Sequence, residues 1–175
     1  MNDFIKLGDI IIITGGICTG KTTFAKCISK NLSKDKNIKT IYIDWIKIGH
    51  DELEAIYYKN KDMKTIIIID NYIEIRTRMR FSNLFKYQKK FTLIYIMNHL
   101  SHHMLKFADI LFFAKTTIPF HIDAISNKLN MMSIGTKKSY IMNKMNKLNT
   151  KGFLYLNKFD KKNNKEYYIK DINNQ

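Results

Sequence analysis

Four consecutive isoleucines, Ile10 to Ile13, run through Thr14 into Gly15-Gly16-Ile17-Cys18-Thr19-Gly20-Lys21-Thr22-Thr23. An unbroken β-branched run of this kind reads as a strand buried on both faces. The segment after it, Phe24 to Leu32, reads as a helix. Between them, Gly15 to Thr22 fits G-x-x-x-x-G-K-[ST] without a mismatch, in the strand-to-helix context that gives the motif its meaning. Glycines let backbone N–H groups turn inward and approach phosphate oxygens that a Cβ would hold off. The helix beginning at Lys21 adds partial positive charge where an anion would sit. In such a loop the lysine ammonium, here Lys21, reaches the β- and γ-phosphates, and the hydroxyl of Thr22 serves Mg²⁺. A glycine-rich turn without a ligand is the alternative, and motif and context together weigh against it. The nucleotide-binding residues are therefore Gly15, Gly16, Ile17, Cys18, Thr19, Gly20, Lys21, Thr22 and Thr23, with ATP and Mg²⁺ as the implied ligands.

The chain has 175 residues, enough for one domain with a real core. Its 45% hydrophobic and 13% aromatic content suits a globular protein rather than a disordered one. The two cysteines, Cys18 and Cys27, have no metal-site spacing, and a reducing compartment is the simple reading. No apolar run approaches the roughly 18 residues that a bilayer span requires, and Met1 to Lys6 does not have the pattern of a secretory signal. A cytoplasmic protein is expected. The net charge of +15 favours polyanionic partners, nucleic acid before acidic membrane. Abundant Lys, Asn and Ile, as a low-GC genome produces, explains part of that charge. The surface attracts DNA or RNA either way.

Along the chain, strands are expected at Ile10 to Thr14, Ile38 to Asp44, Thr65 to Asp70, Thr92 to Met97 and Ile110 to Ala114. Helices are expected from Lys21 to about Ser33, His50 to about Lys59, in part of Arg76 to Gln88, around Ser101 to Phe107, from about Pro119, and from Lys137 to Leu148. Gly152 to Phe159 and Glu166 to Ile172 flank a turn and read as a hairpin. The alternation implies a mainly parallel α/β sheet with its ligand at the strand C-termini. The whole chain, 1–175, reads as a single domain, with a core at about 10–135 and a C-terminal helix and β-hairpin at about 137–172.

Further landmarks follow the loop. Ile66-Ile67-Ile68-Ile69-Asp70 has the form of a Walker B strand, four aliphatics and then an acid. Asp70 would serve Mg²⁺ beside Thr22. The strand ending Ile96-Met97-Asn98 places a polar residue where it can orient attacking water or sense the γ-phosphate; an Asn that merely turns the chain is the even alternative. A strand inserted between the P-loop and Walker B strands implies the order 5-1-4-3-2 of RecA-like (ASCE) P-loop NTPases. Of thirty basic residues only three are arginine, and Arg76, Arg78 and Arg80 fall within five positions. Such clustering points to a need for guanidinium geometry toward phosphate or carboxylate, across a subunit boundary or on DNA. A solvated face partnered by Glu74 is the alternative, and the apolar/charged alternation from Ile73 to Phe81 is strand-like rather than helical. His99, His102 and His103 lack acidic or Cys companions and read as solvated or nucleic-acid-facing rather than as zinc ligands.

This order of landmarks resembles the FtsK/HerA branch of P-loop ATPases, especially the small DNA-packaging ATPases of poxviruses, virophages and membrane-containing phages. The residues that carry the resemblance are Gly15 to Thr22, Ile66 to Asp70, Phe91 to Leu100, Met104 to Phe113 and Gly152 to Leu156. It implies an ATP-hydrolysing motor for viral genome packaging. Asn98 would be the sensor, and one of Arg76, Arg78 and Arg80 would complete a neighbouring subunit's site. It also implies a homo-oligomeric ring, a pentamer or hexamer, around double-stranded DNA. A capsid or portal partner goes with that reading, as does a place in the host cytoplasm or with the virion. The chain departs from that family at Asn71, where a second acid normally polarises water. An amide cannot take a proton at neutral pH, so base catalysis comes from elsewhere or is weak, with Glu74 and Asp44 as the substitutes to test. An AAA+ or superfamily-3-type helicase fits Asn71 and Asn98 as well, but no lid domain is evident. The size and the loop also permit a small-molecule (nucleotide) kinase, and Asn71 permits an ATP-binding protein with little turnover.

Overall fold

A computed structural model describes residues 5–34, 37–47, 50–72, 91–99, 104, 108–131, 137–148, 151–157 and 170–172. Seven strands form one sheet: β1 (Ile10–Thr14), β2 (Ile38–Asp44), β3 (Lys64–Asp70), β4 (Phe91–Met97), β5 (Ile110–Ala114), β6 (Phe153–Asn157) and β7 (Lys170–Ile172). The four described helices are α1 (Lys21–Leu32), α2 (His50–Asn60), α3 (Pro119–Met131) and α4 (Lys138–Lys147). Pro119 opens α3, at the position where its missing N–H leaves no helical bond unmade.

The strands lie in the order β2-β3-β4-β1-β5-β6-β7. From β2 to β5 every pairing is parallel, and β6 and β7 add on antiparallel. The expected 5-1-4-3-2 core is therefore present. The C-terminal hairpin is part of the same sheet, because β6 hydrogen-bonds along the whole of β5. The expected helices in Arg76 to Gln88 and Ser101 to Phe107 fall outside the described residues, apart from the buried Met104.

Alternation within the strands explains the unbroken aliphatic runs. Ile11 and Ile13, with Ile66, Ile68, Ile94 and Ile96, face the layer that holds Phe24, Ala25 and Ile28 of α1. Ile10 and Ile12, with Ile67, Ile69, Leu93 and Tyr95, face the opposite layer. That layer holds Tyr57 of α2, Ile122 and Leu129 of α3, and Ile141 and Met145 of α4. A strand covered on both faces has no position where a polar residue is favoured. α1 is held by rings as well as aliphatics. Phe24 stacks on Phe153 at 4.2 Å between centroids and meets Phe112 edge-on at 4.9 Å. Each such pair is worth about 0.5–1.5 kcal/mol beyond simple burial. The helix that carries Lys21 and Thr22 is thus fixed to β5 and β6.

The parallel registers pair Asp44 with Asp70 and Thr14 with Met97. The C-termini of β1 to β5 consequently share one edge of the sheet, and the loop from Gly15 to Gly20 leaves from that edge.

Candidate nucleotide-binding site

Three residues of the Gly15–Gly20 loop take positive φ: Gly15 at 150°, Cys18 at 61° and Gly20 at 83°. The bend is tied within the loop by the Thr19 hydroxyl, which donates to the carbonyl of Gly16 at 2.9 Å. Gly20 caps α1 with no side-chain hydrogen bond, and the first turn contains no acid. The amides of that turn stand at the positive end of the helix dipole, where an anion would bind.

Lys21 is buried, and its Nζ donates to the carbonyls of Gly15 (2.9 Å) and Gly16 (2.5 Å). Its pKa is lowered, first by desolvation, with the Asp70 carboxylate and Cys18 acting in the opposite direction. The ammonium is folded back across the loop it would serve. A bound phosphate offers it full negative charge in place of two carbonyl dipoles.

Thr22 Oγ1 donates to Asp70 Oδ2 at 2.8 Å. The tip of β3 and the first turn of α1 are therefore in direct contact, as the two motifs require. A hydroxyl beside a carboxylate, at a phosphate-sized cradle, is the oxygen donor set that suits a hard cation such as Mg²⁺. Thr22 would coordinate it, and Asp70 would hold its waters. The tip carries two further bonds that neither motif implies. The Tyr42 hydroxyl also donates to Asp70 Oδ2, and the Asn71 amide N–H donates to Asp70 Oδ1 at 2.8 Å. The Tyr42 pKa is raised, first by desolvation and then by its bond to that carboxylate.

Asn71 sits at φ 55°, a left-handed conformation that Asn tolerates better than most residues. Its Nδ2 donates to Asp44 Oδ1 at 3.2 Å. Of the two candidate replacement bases, Asp44 is brought to the tip, and Glu74 lies outside the described residues. Asp44 also accepts from the Ile46 amide at 3.4 Å and has the Lys47 ammonium at 3.9 Å. Asn71→Asp is expected to raise phosphate release by about 10-fold or more, within the 10²–10⁴-fold range of a positioned base. The new carboxylate would stand beside Asp44 at the strand tip, where it supplies the proton acceptor that an amide lacks. Steady-state phosphate release compared with the wild type checks this; an unchanged rate would show that a base already acts from elsewhere.

A cleft of about 490 Å³ lies over the loop, bordered by residues 17–23, Asp70, Asn71, Ile96, Asn98 and Lys151. Asn98 is exposed just after β4 and borders this cleft, so the structure brings it to the same cleft as Lys21, Thr22 and Asp70. It also borders a second, more apolar cleft of about 280 Å³ behind Gly15 and Gly16, lined by Phe113, Phe120, His121 and Ile125 among others. Gly15 and Gly16 border that second cleft, and their carbonyls accept from Lys21 Nζ, which borders the first. His99 belongs to the second cleft as well; His102, His103, Arg76, Arg78 and Arg80 lie outside the described residues. Sequence reasoning missed Tyr42 and Lys151. The available signal for Lys151 was a Lys-Gly pair directly before the closing strand β6.

No protein-family model and no curated protein matches this chain. Solved structures do resemble it. The genome packaging NTPase B204 from Sulfolobus turreted icosahedral virus 2, in complex with AMP, is 16% identical over 87% of this chain and 94% of that one, with a TM-score of 0.66. The same NTPase in complex with sulfate is 17% identical over 87% and 92% of the two chains, with a TM-score of 0.65. B204, the DNA-packaging ATPase from Sulfolobus turreted icosahedral virus, is 16% identical over 87% and 94%, with a TM-score of 0.63. At these identities the likeness is one of fold: the chain has the α/β P-loop NTPase fold of those proteins along nearly their whole length.

Proposed function

We propose that this chain is an ATP-binding and ATP-hydrolysing nucleic-acid motor of the viral genome-packaging kind. The observation that carries the reading is the 2.8 Å bond from Thr22 to Asp70, which joins the phosphate loop to the strand tip. It sits under a cleft that Asn98 also borders. Loop and helix amides would bind the phosphates. The Lys21 ammonium would exchange the Gly15 and Gly16 carbonyls for β- and γ-phosphate oxygens. Thr22 and Asp70 would hold Mg²⁺, which when bound neutralises charge on the transferring phosphoryl group. Asn98 would respond to the γ-phosphate.

The motor reading draws support from the fold shared with packaging NTPases and from the net charge of +15. Double-stranded DNA is the proposed track and a homo-oligomeric ring the proposed assembly, a pentamer or hexamer. One of Arg76, Arg78 and Arg80 would serve the neighbour's nucleotide, and a capsid or portal would be the docking partner, in the host cytoplasm or on the virion. Among the described residues no helix is long and apolar enough to cross a membrane.

The test is ATPase rate with and without double-stranded DNA, alongside mass in solution with ATP present. The rate is expected to rise with DNA, the rise to fade with added salt as phosphate contacts are screened, and the mass to exceed a monomer. A monomer indifferent to DNA would overturn the motor reading. Phosphate transfer to a nucleotide, without DNA stimulation, would establish a kinase instead.

A further inference from the structure

Tyr42 lies on β2, at the edge of the sheet, two residues before the strand tip. Nothing in the phosphate-loop motif calls for a residue there. Three contacts nevertheless converge on it. Its hydroxyl donates to Asp70 Oδ2, the oxygen that also accepts from Thr22. Its ring lies under the ammonium of Lys26, 5.0 Å from the centroid. Lys26 stands one helical turn after Thr22 on α1, so the two side chains share a face of that helix. The parallel register sets Tyr42 opposite Ile68, two residues before Asp70, which gives its side chain the reach to the carboxylate.

The carboxylate has about four acceptor positions. Among the described residues three are taken, by Thr22, Tyr42 and the Asn71 amide. Oδ1 is held by the Asn71 amide and Oδ2 by two donors, so Tyr42 doubles the hold on the oxygen that Thr22 would otherwise hold by itself. Thr22 alone would leave it free to rotate about its last bond, and the Asn71 amide restrains the other oxygen. Tyr42, from edge strand β2, closes the set and leaves about one acceptor position for water on a metal.

We infer that Tyr42 is a positioning residue for the metal site: its hydroxyl fixes the orientation in which Asp70 receives the waters of Mg²⁺. This rests on reading the site as one for MgATP. Tyr42 acts through Asp70 and touches neither nucleotide nor metal. Partners of metal-site carboxylates commonly govern metal affinity in this way. The residue is about half exposed, and phenylalanine retains the ring under Lys26, so Tyr42→Phe removes one hydrogen bond without emptying a core position.

The experiment measures binding of a fluorescent ATP analogue to the full chain across a Mg²⁺ titration, and again with the metal chelated. Tyr42→Phe is expected to raise the Mg²⁺ concentration for half-saturation by about 10-fold, the lower end of the range for such partners. Metal-free nucleotide affinity should stay at the wild-type value. In an Asp70→Asn background the same change should have no further effect, because the group it orients is gone. The electron paramagnetic resonance spectrum of Mn²⁺ bound with nucleotide should broaden in Tyr42→Phe, which a distant structural role would not produce. An unchanged half-saturation in Tyr42→Phe, with a Mg²⁺-dependent wild type, would overturn the inference alone. Tighter Mg²⁺ binding would overturn it too, since the hydroxyl would then be a competitor for the carboxylate. A wild type whose nucleotide binding ignores Mg²⁺ would remove the MgATP reading and this inference together.

Discussion

Replacing Lys21 with alanine is expected to abolish DNA-stimulated ATP hydrolysis and to weaken nucleotide binding by about 10- to 100-fold, the worth of one charge-assisted hydrogen bond. Turnover should fall further than binding, by at least about 10²-fold, because the ammonium meets charge that grows during phosphoryl transfer. The structure separates this loss from a folding defect. Lys21 is buried with its Nζ on two loop carbonyls, and desolvation lowers its pKa. The free protein therefore keeps a cation in a site that disfavours it until an anion arrives. Lys21→Met fills the same space without the charge. It relieves that burden while leaving the Gly15 and Gly16 carbonyls, which are only half-buried, to water. Its melting temperature should stay within about 4 °C of the wild type, the shift that 1 kcal/mol produces in a domain of this size. Calorimetry of the free protein and phosphate release with and without DNA check the two halves. Equal hydrolysis by Lys21→Ala and wild type would exclude Gly15–Thr22 as the catalytic loop.

The parts of the site that could be read from the sequence are those for which local chemistry and long-range position coincide. Ile10 to Ile13 and Ile66 to Ile69 admit only doubly covered strands, and both are buried throughout. Gly15 to Thr22 carries its own geometry, because the bends at Gly15 and Gly20 need residues without a Cβ. Asp70 could be matched to Thr22 because a P-loop strand and an acid-tipped strand have few ways to share an edge. Tyr42 shows where this ends. A tyrosine in Ile-Tyr-Ile is ordinary strand composition, and only the pairing of β2 with β3 turns it toward Asp70. Lys151 reaches the cleft for a similar reason: β6 returns antiparallel along β5, which sets the residues before it at the loop's edge. Asn71 was visible as a missing acid. Its left-handed turn and its bond to Asp44 were not, since they depend on two strand ends lying level.

Gly15→Ala is expected to destabilise the protein by about 2–5 kcal/mol, combining overpacking with a backbone conformation that L residues seldom adopt. A Cβ built at Gly15 falls 2.5 Å from the Cβ of Ala114 and 3.4 Å from its Cα and N. Ala114 ends β5, beside β1 in the sheet. Its Cβ has no rotamer through which to withdraw, so the two strand ends must part. The φ of 150° adds strain that no neighbour can relieve. At about 2–4 °C per kcal/mol, the melting temperature should drop by about 4–20 °C. The other two loop glycines are internal controls. Among the described residues a Cβ at Gly16 meets only Thr19 Cγ2 at 3.7 Å, an ordinary contact, so Gly16→Ala should melt close to the wild type. Among the described residues a Cβ at Gly20 meets nothing within 4 Å, and Gly20→Ala carries the strain of φ 83°, about 1–2 kcal/mol. Ala114→Gly should restore the steric part of Gly15→Ala and leave the conformational part, giving a coupling between the two sites in a double-mutant cycle. If Gly15→Ala melts with the wild type, β1 and β5 are not in the contact that sets the loop's origin. The phosphate cradle then has more freedom than one strand end fixed against another allows.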